Sequence, residues 1–373
     1  MKLLPLAFFI ILLNTVSIAQ PPAKNVIVIT IDGIRWQEIF RGADASLLRN
    51  NTYVKDTGLM AQQYWHDDIN ERRRRLLPFF WSVIQQQGQL LGNRDFDNDV
   101  NVANLYKISY PGYSEMFTGY ADKLFIPNLA VNNPRSNVLQ WLNDQPAFAG
   151  KVAAFCSWRV FPFILDEKHG SLQVNAGYET LDHNDSSNVL INNVQQSMQD
   201  KHTTRHDLLT FECAKNYLQQ NHPRVLYLGL GETDEFAHHG EYDNYLQKLR
   251  QADAMIAELW YYVQTDPFYK NNTSFIITTD HGRGAKSNSW SSHGFWVKGS
   301  GQTWFALLGP GIDATGEVKE PQQAYQKQVA ATVASLLGVQ FTAKHRIGKP
   351  LVIKTDKTGE EAGFIHKVIT AKN

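Results

Sequence analysis

The sequence predicts an α/β fold in which a mainly parallel open sheet is flanked by helices on both faces. The first indication is a set of three short, uninterrupted apolar runs at 26–31, 224–230 and 274–279. Such runs are typical of strands buried on both faces of a parallel sheet. The second indication is the pattern over 242–263, where apolar residues recur about every 3.6 positions, as in an amphipathic helix. A similar helix is predicted over 322–337.

Composition narrows the class of protein. The chain has 373 residues, of which 43% are hydrophobic, so it can bury a large core and is not a disordered chain. Its 36 basic residues balance its 36 acidic residues, which excludes a global basic field for binding a nucleic-acid duplex. The two cysteines, Cys156 and Cys213, are too few for a Cys-rich zinc site. They are consistent either with one bridge or with two buried thiols.

The N-terminus has the features of a signal peptide over residues 1–19. Lys2 supplies a charge, Leu3–Leu13 an apolar run, and Ser17–Ala19 a small-residue exit. The apolar run is shorter than the roughly 20 residues that a membrane-spanning helix needs. We therefore expect an exported protein, periplasmic or secreted, with no transmembrane segment.

The remaining residues, 20–373, are predicted to form a single domain with irregular insertions around 40–105 and 120–220. The apolar periodicity is weakest in these two segments, and we expect them to lie on the substrate side of the sheet.

Each of the three predicted strands leads to an aspartate, namely Asp32, Asp234 or Asp280. In open α/β sheets, ligands bind beyond the carboxyl ends of the strands, so these carboxylates should converge on one crevice. One such aspartate by itself is usually a helix cap or a turn residue. Three of them, two with histidines nearby, favour a functional site.

Three histidines accompany the acids. His238 lies four residues after Asp234, so both would share one helix face. His281 follows Asp280 directly, and His293 follows a loop rich in Gly and Ser. Three aspartates and three histidines offer only oxygen and nitrogen donors, a set that suits zinc, with manganese or iron as alternatives. Six side chains exceed one tetrahedral shell, so we expect two divalent ions.

Ser109 is the candidate nucleophile. It follows a strand-like run over 100–108 and begins a predicted short helix bracketed by Pro111 and Gly119. Backbone N–H groups at a helix start favour an anion there, either an alkoxide or a phosphoryl oxygen. Without a metal site nearby, Ser109 would be interpreted as an ordinary capping residue. Ser114 is the alternative nucleophile, but it lies inside the predicted helix.

These motifs resemble the alkaline phosphatase superfamily and, within it, the nucleotide pyrophosphatase/phosphodiesterase branch. That branch has an Asp after its first strand, then a Thr or Ser before an aromatic-Pro pair, a Thr-Gly, an Asp-x-x-x-His, an Asp-His-Gly and a late His-Gly. The matching residues are Asp32, Ser109-Tyr110-Pro111, Thr118-Gly119, Asp234 with His238, Asp280-His281-Gly282 and His293-Gly294.

The resemblance implies a hydrolase of phosphate esters with two metal ions and a phosphoseryl intermediate. It assigns Asp234, His238 and His293 to one metal, and Asp32, Asp280 and His281 to the other, with Ser109 beside the second. Serine in place of the branch's usual threonine leaves monoester and diester substrates open, and a nucleotide is one candidate. Tyr113 stands where a sulfatase would need Arg, which argues against sulfatase maturation of Ser109.

Candidate substrate contacts are less well defined. The branch has an Asn about 21 residues after its nucleophile, and Asn128, Asn132 and Asn133 all lie near that place. Arg283, directly after the Asp-His-Gly motif, is the first candidate for a phosphate clamp. Five aromatic residues near the motifs could stack on a nucleobase or aryl group, or pack in the core. They are Trp36, Tyr110, Trp158, Trp290 and Trp296.

Two other functions are compatible with the same residues. One is phosphoryl transfer to an alcohol, as in a mutase that resembles metal-dependent phosphoglycerate mutase. The other is a non-catalytic, metal-stabilised binding protein of the envelope.

Overall fold

The computed structural model describes residues 23–123, 127–183 and 185–353. Its strands are β1 (Asn25–Ile31), β2 (Gly88–Leu91), β3 (Asn98–Asn101), β4 (Val152–Cys156), β5 (Gln173–Ala176), β6 (Val225–Leu230), β7 (Thr273–Thr278), β8 (Gln302–Thr303), β9 (Phe305–Leu308), β10 (Gly316–Glu317) and β11 (Gln322–Tyr325). Its α-helices are α1 (Trp36–Arg41), α2 (Ala45–Leu48), α3 (Thr57–Tyr64), α4 (Ile69–Leu76), α5 (Gln85–Gln87), α6 (Ser109–Thr118), α7 (Val138–Asn143), α8 (Phe161–Ile164), α9 (Ser186–Ser197), α10 (Asp207–Asn221), α11 (Glu232–His238), α12 (Tyr242–Thr265) and α13 (Val329–Leu336).

Eight strands form the main sheet in the order β10-β2-β9-β7-β1-β6-β4-β5. The five strands from β7 to β5 are parallel, whereas β9 runs antiparallel to both β7 and β2. A small sheet of order β11-β3-β8 lies apart from it. The predicted α/β class with a mainly parallel sheet is therefore confirmed.

The central strand β1 shows why this sheet is covered on both faces. All seven of its residues are buried, and they form no polar–apolar alternation that would leave one face to water. Its isoleucines, among them Ile27, join a core built with α1, α10 and α12. Val26 and Val28 join a second core with α6, α7 and α13 on the opposite face. The two cores hold the strand ends in fixed positions.

Helix α6 begins at Ser109 and ends at Thr118, as the bracketing Pro and Gly predict. Gly119 caps it in the left-handed conformation, with φ of 70°. All ten helix residues are buried. Gly112 has a packing role, because a Cβ there would lie 2.5 Å from the carbonyl oxygen of Asp280. The missing side chain lets α6 press directly onto the end of β7.

Three sequence-based expectations differ from the structure. The segments 40–105 and 120–220 are less irregular than expected, because β2 in the first and β4 and β5 in the second belong to the main sheet. The run over 100–108 is extended only in its first two residues, where β3 ends. The helix expected from 322 begins at 329, since β11 pairs with β3 instead. Pairing between distant strands overrides local periodicity in the first and third cases.

The predicted signal peptide over 1–19 lies outside the described residues. Within the described ranges, no helix has both the length and the apolar character needed to cross a bilayer.

The two cysteines are free and buried. Cys156 lies in β4 and packs in the core with α6, whereas Cys213 on α10 packs in the core on the opposite face. We therefore predict two reactive thiols per chain when unreduced protein is unfolded and titrated with a thiol reagent. The folded protein should react slowly, because burial raises the pKa of both thiols and disfavours the thiolate. Fewer than two thiols in the unfolded chain would contradict this arrangement.

Candidate active site

The carboxyl ends of three adjacent strands bring the predicted acids together. Asp32 directly follows β1, Asp280 is the second residue after β7, and Asp234 lies in the first turn of α11 just after β6. The main-chain N–H of Gly33 donates to Asp280 Oδ1 at 3.2 Å, and the Thr233 hydroxyl donates to the Asp32 carbonyl oxygen at 2.7 Å. These bonds connect the three strand ends to one another.

The six predicted ligands form two overlapping groups. In each group the ligand atoms lie within 4.8 Å of one another: Asp32, Asp280 and His281 in the first, and Asp234, His281 and His293 in the second. His281 Nε2 is therefore common to both, 3.5 Å from Asp32 Oδ1 and 3.9 Å from Asp234 Oδ1. His238 completes the second group, because its Nε2 lies 3.0 Å from both Asp234 Oδ2 and His293 Nε2.

Backbone carbonyls fix the tautomers of two imidazoles. His281 Nδ1 lies 3.0 Å from the Gly282 carbonyl oxygen, and His293 Nδ1 lies 3.2 Å from that of Lys107. A carbonyl oxygen can only accept, so each Nδ1 carries the proton and each Nε2 presents a lone pair to the carboxylates. Metal-binding histidines are commonly oriented in this way.

The donor set fits divalent metal ions. Two buried carboxylate oxygens, Asp32 Oδ1 and Asp280 Oδ2, have no hydrogen-bond partner among the described residues. An unpartnered buried carboxylate oxygen is costly unless a cation accompanies it. Oxygen and nitrogen donors in this number suit zinc or manganese.

Burial and the neighbouring charges shift the pKa values of the ionisable groups in the site. Burial, together with the charge of Asp234, raises the pKa of Asp280 to about 8. Burial and the other two carboxylates also raise the pKa of Asp32. Burial would raise the pKa of Asp234 too, but the Arg283 guanidinium, the hydrogen bond from His238 and the neighbouring imidazoles together outweigh burial and hold that pKa well below its usual value. Burial lowers the pKa of His293 to about 4, so its imidazole is neutral at pH 7 and ready to act as a ligand.

Ser109 lies where the sequence places it, at the first residue of α6. Its side chain is buried, and Oγ is 3.3 Å from His281 Nε2, the atom common to both ligand groups. Ser114, the alternative nucleophile, lies five residues further along the helix and is also buried. Its Oγ accepts a hydrogen bond from Asn133 Nδ2 at 2.9 Å. The hydroxyl beside the ligand cluster is that of Ser109.

The three asparagines fall in different places. Asn128 Oδ1 accepts the main-chain N–H of Tyr110 at 2.9 Å, so Asn128 borders the start of α6 beside Ser109. Asn133 is buried against Ser114 and also accepts the N–H of Arg135 at 3.0 Å, which gives it a packing role. Asn132 lines a surface cleft with Pro162 and Phe163. Of the three, Asn128 has the placement of a substrate contact.

Arg283 does not have the placement of a phosphate clamp. Its guanidinium is buried and donates to Asp234 Oδ1 at 2.5 Å, to the Asp234 carbonyl oxygen at 3.1 Å and to the Ser291 carbonyl oxygen at 2.7 Å. These bonds fix one metal-ligand candidate and the loop that carries His293. The expectation for Arg283 is corrected accordingly: it supports the ligands from behind.

Sequence reasoning missed Lys107, which positions His293. Its φ of 54° is in the left-handed region, which is uncommon outside glycine. This conformation aims the Lys107 carbonyl oxygen at His293 Nδ1. The strain lies two residues before Ser109, so one short segment supports both the candidate nucleophile and a ligand candidate. A single sequence carries no signal for it, since lysine does not predict a positive φ.

Trp290, for which the sequence left stacking on a ligand and core packing open, anchors the loop before His293. Trp290 is fully buried, and its ring packs edge-on against Tyr53, Tyr242 and Tyr245 at centroid distances of 5.6, 5.1 and 5.5 Å. Edge-to-face contacts of this kind stabilise aromatic clusters. The anchor fixes the loop three residues before the histidine.

A second feature that sequence reasoning missed supports Asp234 and His238. The Asp207 carboxylate at the start of α10 accepts the N–H groups of Gly231 and Glu232 at 2.7 and 3.1 Å, which caps α11. Glu232 in turn accepts the N–H of Asp207 at 2.8 Å. The two helix starts therefore cap each other, and α11 presents its two ligand candidates from a fixed position.

The comparisons with known proteins agree with this geometry. The sequence model of the metalloenzyme superfamily matches residues 165–340, a range that contains five of the six ligand candidates. No curated protein matches the sequence at a significant level. The family match indicates a metal-dependent enzyme that binds divalent ions, and it specifies neither the metal nor the substrate.

Several solved structures share the fold. Wild-type alkaline phosphatase PafA is 12% identical and superposes with a TM-score of 0.59 over 89% of this chain and 99% of its own. Phosphonate monoester hydrolase from Silicibacter pomeroyi is 11% identical, with a TM-score of 0.56 over 88% and 76% of the two chains. Lipoteichoic acid synthase LtaP from Listeria monocytogenes is 13% identical, with a TM-score of 0.54 over 87% and 74%. At these identities the likeness shows the fold.

Together, the family match and the shared fold confirm the resemblance to the alkaline phosphatase superfamily. They do not specify a branch within it, so the nucleotide pyrophosphatase/phosphodiesterase branch stays a prediction.

The raised pKa of Asp280 predicts how pH affects the metal-free protein. The folded state holds a proton on Asp280 up to about pH 8, whereas the unfolded chain releases it near the usual value of 3.8. Stability should therefore fall as pH rises from 6.5 to 8, a window above the usual pKa of histidine. We expect Asp280→Asn to remove about 1–2 kcal/mol of this fall. The measurement is urea unfolding of chelator-treated proteins at both pH values. Identical pH slopes in wild type and variant would contradict the assignment.

Proposed function

We propose that this protein hydrolyses small-molecule phosphate esters with Ser109 as the nucleophile and two divalent metal ions as cofactors. The observation that carries the proposal is the position of Ser109 Oγ, 3.3 Å from the imidazole nitrogen that both ligand groups share. The proposed ligands are Asp32, Asp280 and His281 for one ion, and Asp234, His238 and His293 for the other. Zinc is the proposed metal, with manganese as the alternative.

Bound divalent ions supply positive charge that lowers the pKa of a hydroxyl nucleophile and offsets the charge on phosphoryl oxygens. Ser109 Oγ then forms a bond to phosphorus while the bond between phosphorus and the ester oxygen breaks, so the alcohol leaves. Water hydrolyses the phosphoseryl group in a second displacement and regenerates the hydroxyl. At the start of α6 the Tyr110 N–H is bonded to Asn128 Oδ1, Pro111 has no N–H, and the Gly112 N–H is bonded to the Ile108 carbonyl oxygen. The amide of Asn128, which lies beside Ser109, is therefore the proposed hydrogen-bond partner of the phosphoryl group.

Ser109→Ala tests the nucleophile. We expect kcat with zinc and an aryl phosphate ester to fall by roughly three orders of magnitude or more, because the substitution removes the proposed nucleophile. Ser114→Ala is the matched control, since it removes a buried hydroxyl from the same helix and should stay within about threefold of wild type. The assay is steady-state hydrolysis of an aryl monoester and an aryl diester, each with and without added zinc. Equal rates for wild type and Ser109→Ala would refute the proposal.

The same assay separates the proposal from its alternatives. A transferase or mutase would pass the phosphoryl group to an added alcohol faster than to water. A binding protein would cleave neither ester with any metal, although metal removal would still lower its melting temperature. The ratio of the diester to the monoester rate identifies the branch of the superfamily.

A nucleotide or aryl substituent is the finer substrate proposal, and Trp296 supports it. The structure buries Trp36, Tyr110 and Trp290, which removes them as stacking surfaces. Trp296 is 90% exposed, three residues after His293, and its ring packs edge-on against Phe295. An exposed indole beside a metal-ligand loop offers a face to an aromatic group.

Trp296→Ala should therefore lower kcat/KM for a thymidine nitrophenyl phosphate diester by roughly tenfold. The rate for methyl nitrophenyl phosphate, which has no ring on that side, should not change. Tyr261→Ala removes another exposed aromatic ring, on α12, and serves as the control. Equal losses on both substrates would exclude stacking of Trp296 on the nucleobase, since both substrates carry the nitrophenyl ring.

Export is part of the proposal. Cleavage of the predicted signal peptide after Ala19 would leave Gln20 as the first residue of the mature chain. Mass spectrometry of the native protein tests this directly, and a mature N-terminus at Met1 would contradict it.

A further inference from the structure

Helix α6 contacts the ligand cluster through three residues on one of its faces. Ser109 Oγ approaches His281, and Gly112 packs against the main chain of Asp280. Tyr113, four residues after Ser109, donates its hydroxyl hydrogen bond to Asp32 Oδ2 at 2.8 Å. Residues three and four apart share a helix face, so the nucleophile and this tyrosine reach the same cluster together.

The Tyr113 hydroxyl gives the two oxygens of the Asp32 carboxylate different surroundings. Oδ2 is occupied by the tyrosine, whereas Oδ1 has no hydrogen-bond partner among the described residues and lies 3.5 Å from His281 Nε2. The oxygen of Asp32 that is left for a cation to partner is therefore Oδ1. Rotating the carboxylate away from this orientation would break the buried hydrogen bond to Oδ2, at a cost of about 1–3 kcal/mol.

The Tyr113 ring is itself fixed. The side chain is 1% exposed, and the ring packs edge-on against Phe161 at a centroid distance of 4.6 Å. Phe161 also contacts the ring of Tyr227, which is equally buried. The Tyr227 hydroxyl bonds to Thr30 Oγ1 at 2.7 Å, away from the ligands. The two tyrosines thus pack against the same ring, but their hydroxyls bond to different residues, Asp32 for Tyr113 and Thr30 for Tyr227.

We propose that Tyr113 is a positioning residue that holds Asp32 as a one-oxygen ligand of the metal group formed with Asp280 and His281, and that links this ligand to the helix carrying Ser109. The inference rests on the proposed function, because it assigns a role toward the metal ions. The residue acts through Asp32 and does not touch the reacting atoms.

Tyr113→Phe tests the proposal by removing the hydroxyl and keeping the ring. The measurement is Zn²⁺ affinity for the two sites, determined by competition with a chromophoric chelator on metal-stripped full-length protein. We expect affinity at one site to fall by about 10- to 100-fold, the usual effect of losing a ligand's supporting hydrogen bond, while the other site is unchanged. Tyr227→Phe, the matched control, should leave both affinities unchanged. The melting temperatures of the two metal-free variants should be similar to each other.

Kinetics give a second measurement. With zinc at saturating concentration, both sites of Tyr113→Phe are filled, so KM should be near the wild-type value. We expect kcat to stay reduced, because Asp32 is free to rotate and no longer links the metal to the helix.

Unchanged zinc affinity at both sites would overturn the inference and leave the proposed function standing. Equal weakening of both sites with a lowered melting temperature would also overturn it, since that pattern describes a purely structural tyrosine. A wild-type protein that binds no divalent ion would overturn the proposed function and the inference together.

Discussion

The central constraint on this site is the electrostatic repulsion among the carboxylates of Asp32, Asp234 and Asp280, which the sheet topology places close together. Three adjacent parallel strands end at one edge, and each delivers an aspartate there. Two of the three carboxylates, Asp32 and Asp280, have raised pKa values because they are buried near like charge. Only Asp234 is balanced by a guanidinium, that of Arg283. The arrangement becomes favourable when cations are bound, which links metal binding to the stability of the fold.

The surrounding structure holds these repelling groups in place. Carbonyl oxygens orient the imidazoles of His281 and His293, and the caps at α10 and α11 fix the element that carries Asp234. Helix α6 packs through Gly112 against the main chain of Asp280, so the proposed nucleophile and the ligand candidates share one rigid support. This rigidity is what catalysis requires, because a reacting atom displaced by about 1 Å can cost a factor of about 100 in rate.

Much of the fold and most of the site could be predicted from the sequence. Uninterrupted apolar runs identified β1, β6 and β7, and their following aspartates identified the site edge, because burial on both faces leaves a strong compositional pattern. The spacing of Pro111 and Gly119 gave the bounds of α6. The short strands β2, β4 and β5 were missed because their sheet position depends on distant partners. Lys107 and Tyr113 were missed because a positive φ and a hydroxyl–carboxylate contact arise only from tertiary packing. Arg283 was misassigned for the same reason, since its partner Asp234 lies 49 residues away.

The most direct test of the central claim is anomalous X-ray diffraction from crystals of the full chain grown with zinc. The account predicts two zinc peaks, one among Asp32, Asp280 and His281 and the other among Asp234, His238 and His293, with the Ser109 hydroxyl next to the first. Zinc bound elsewhere on the surface, with these six side chains free of metal, would contradict it.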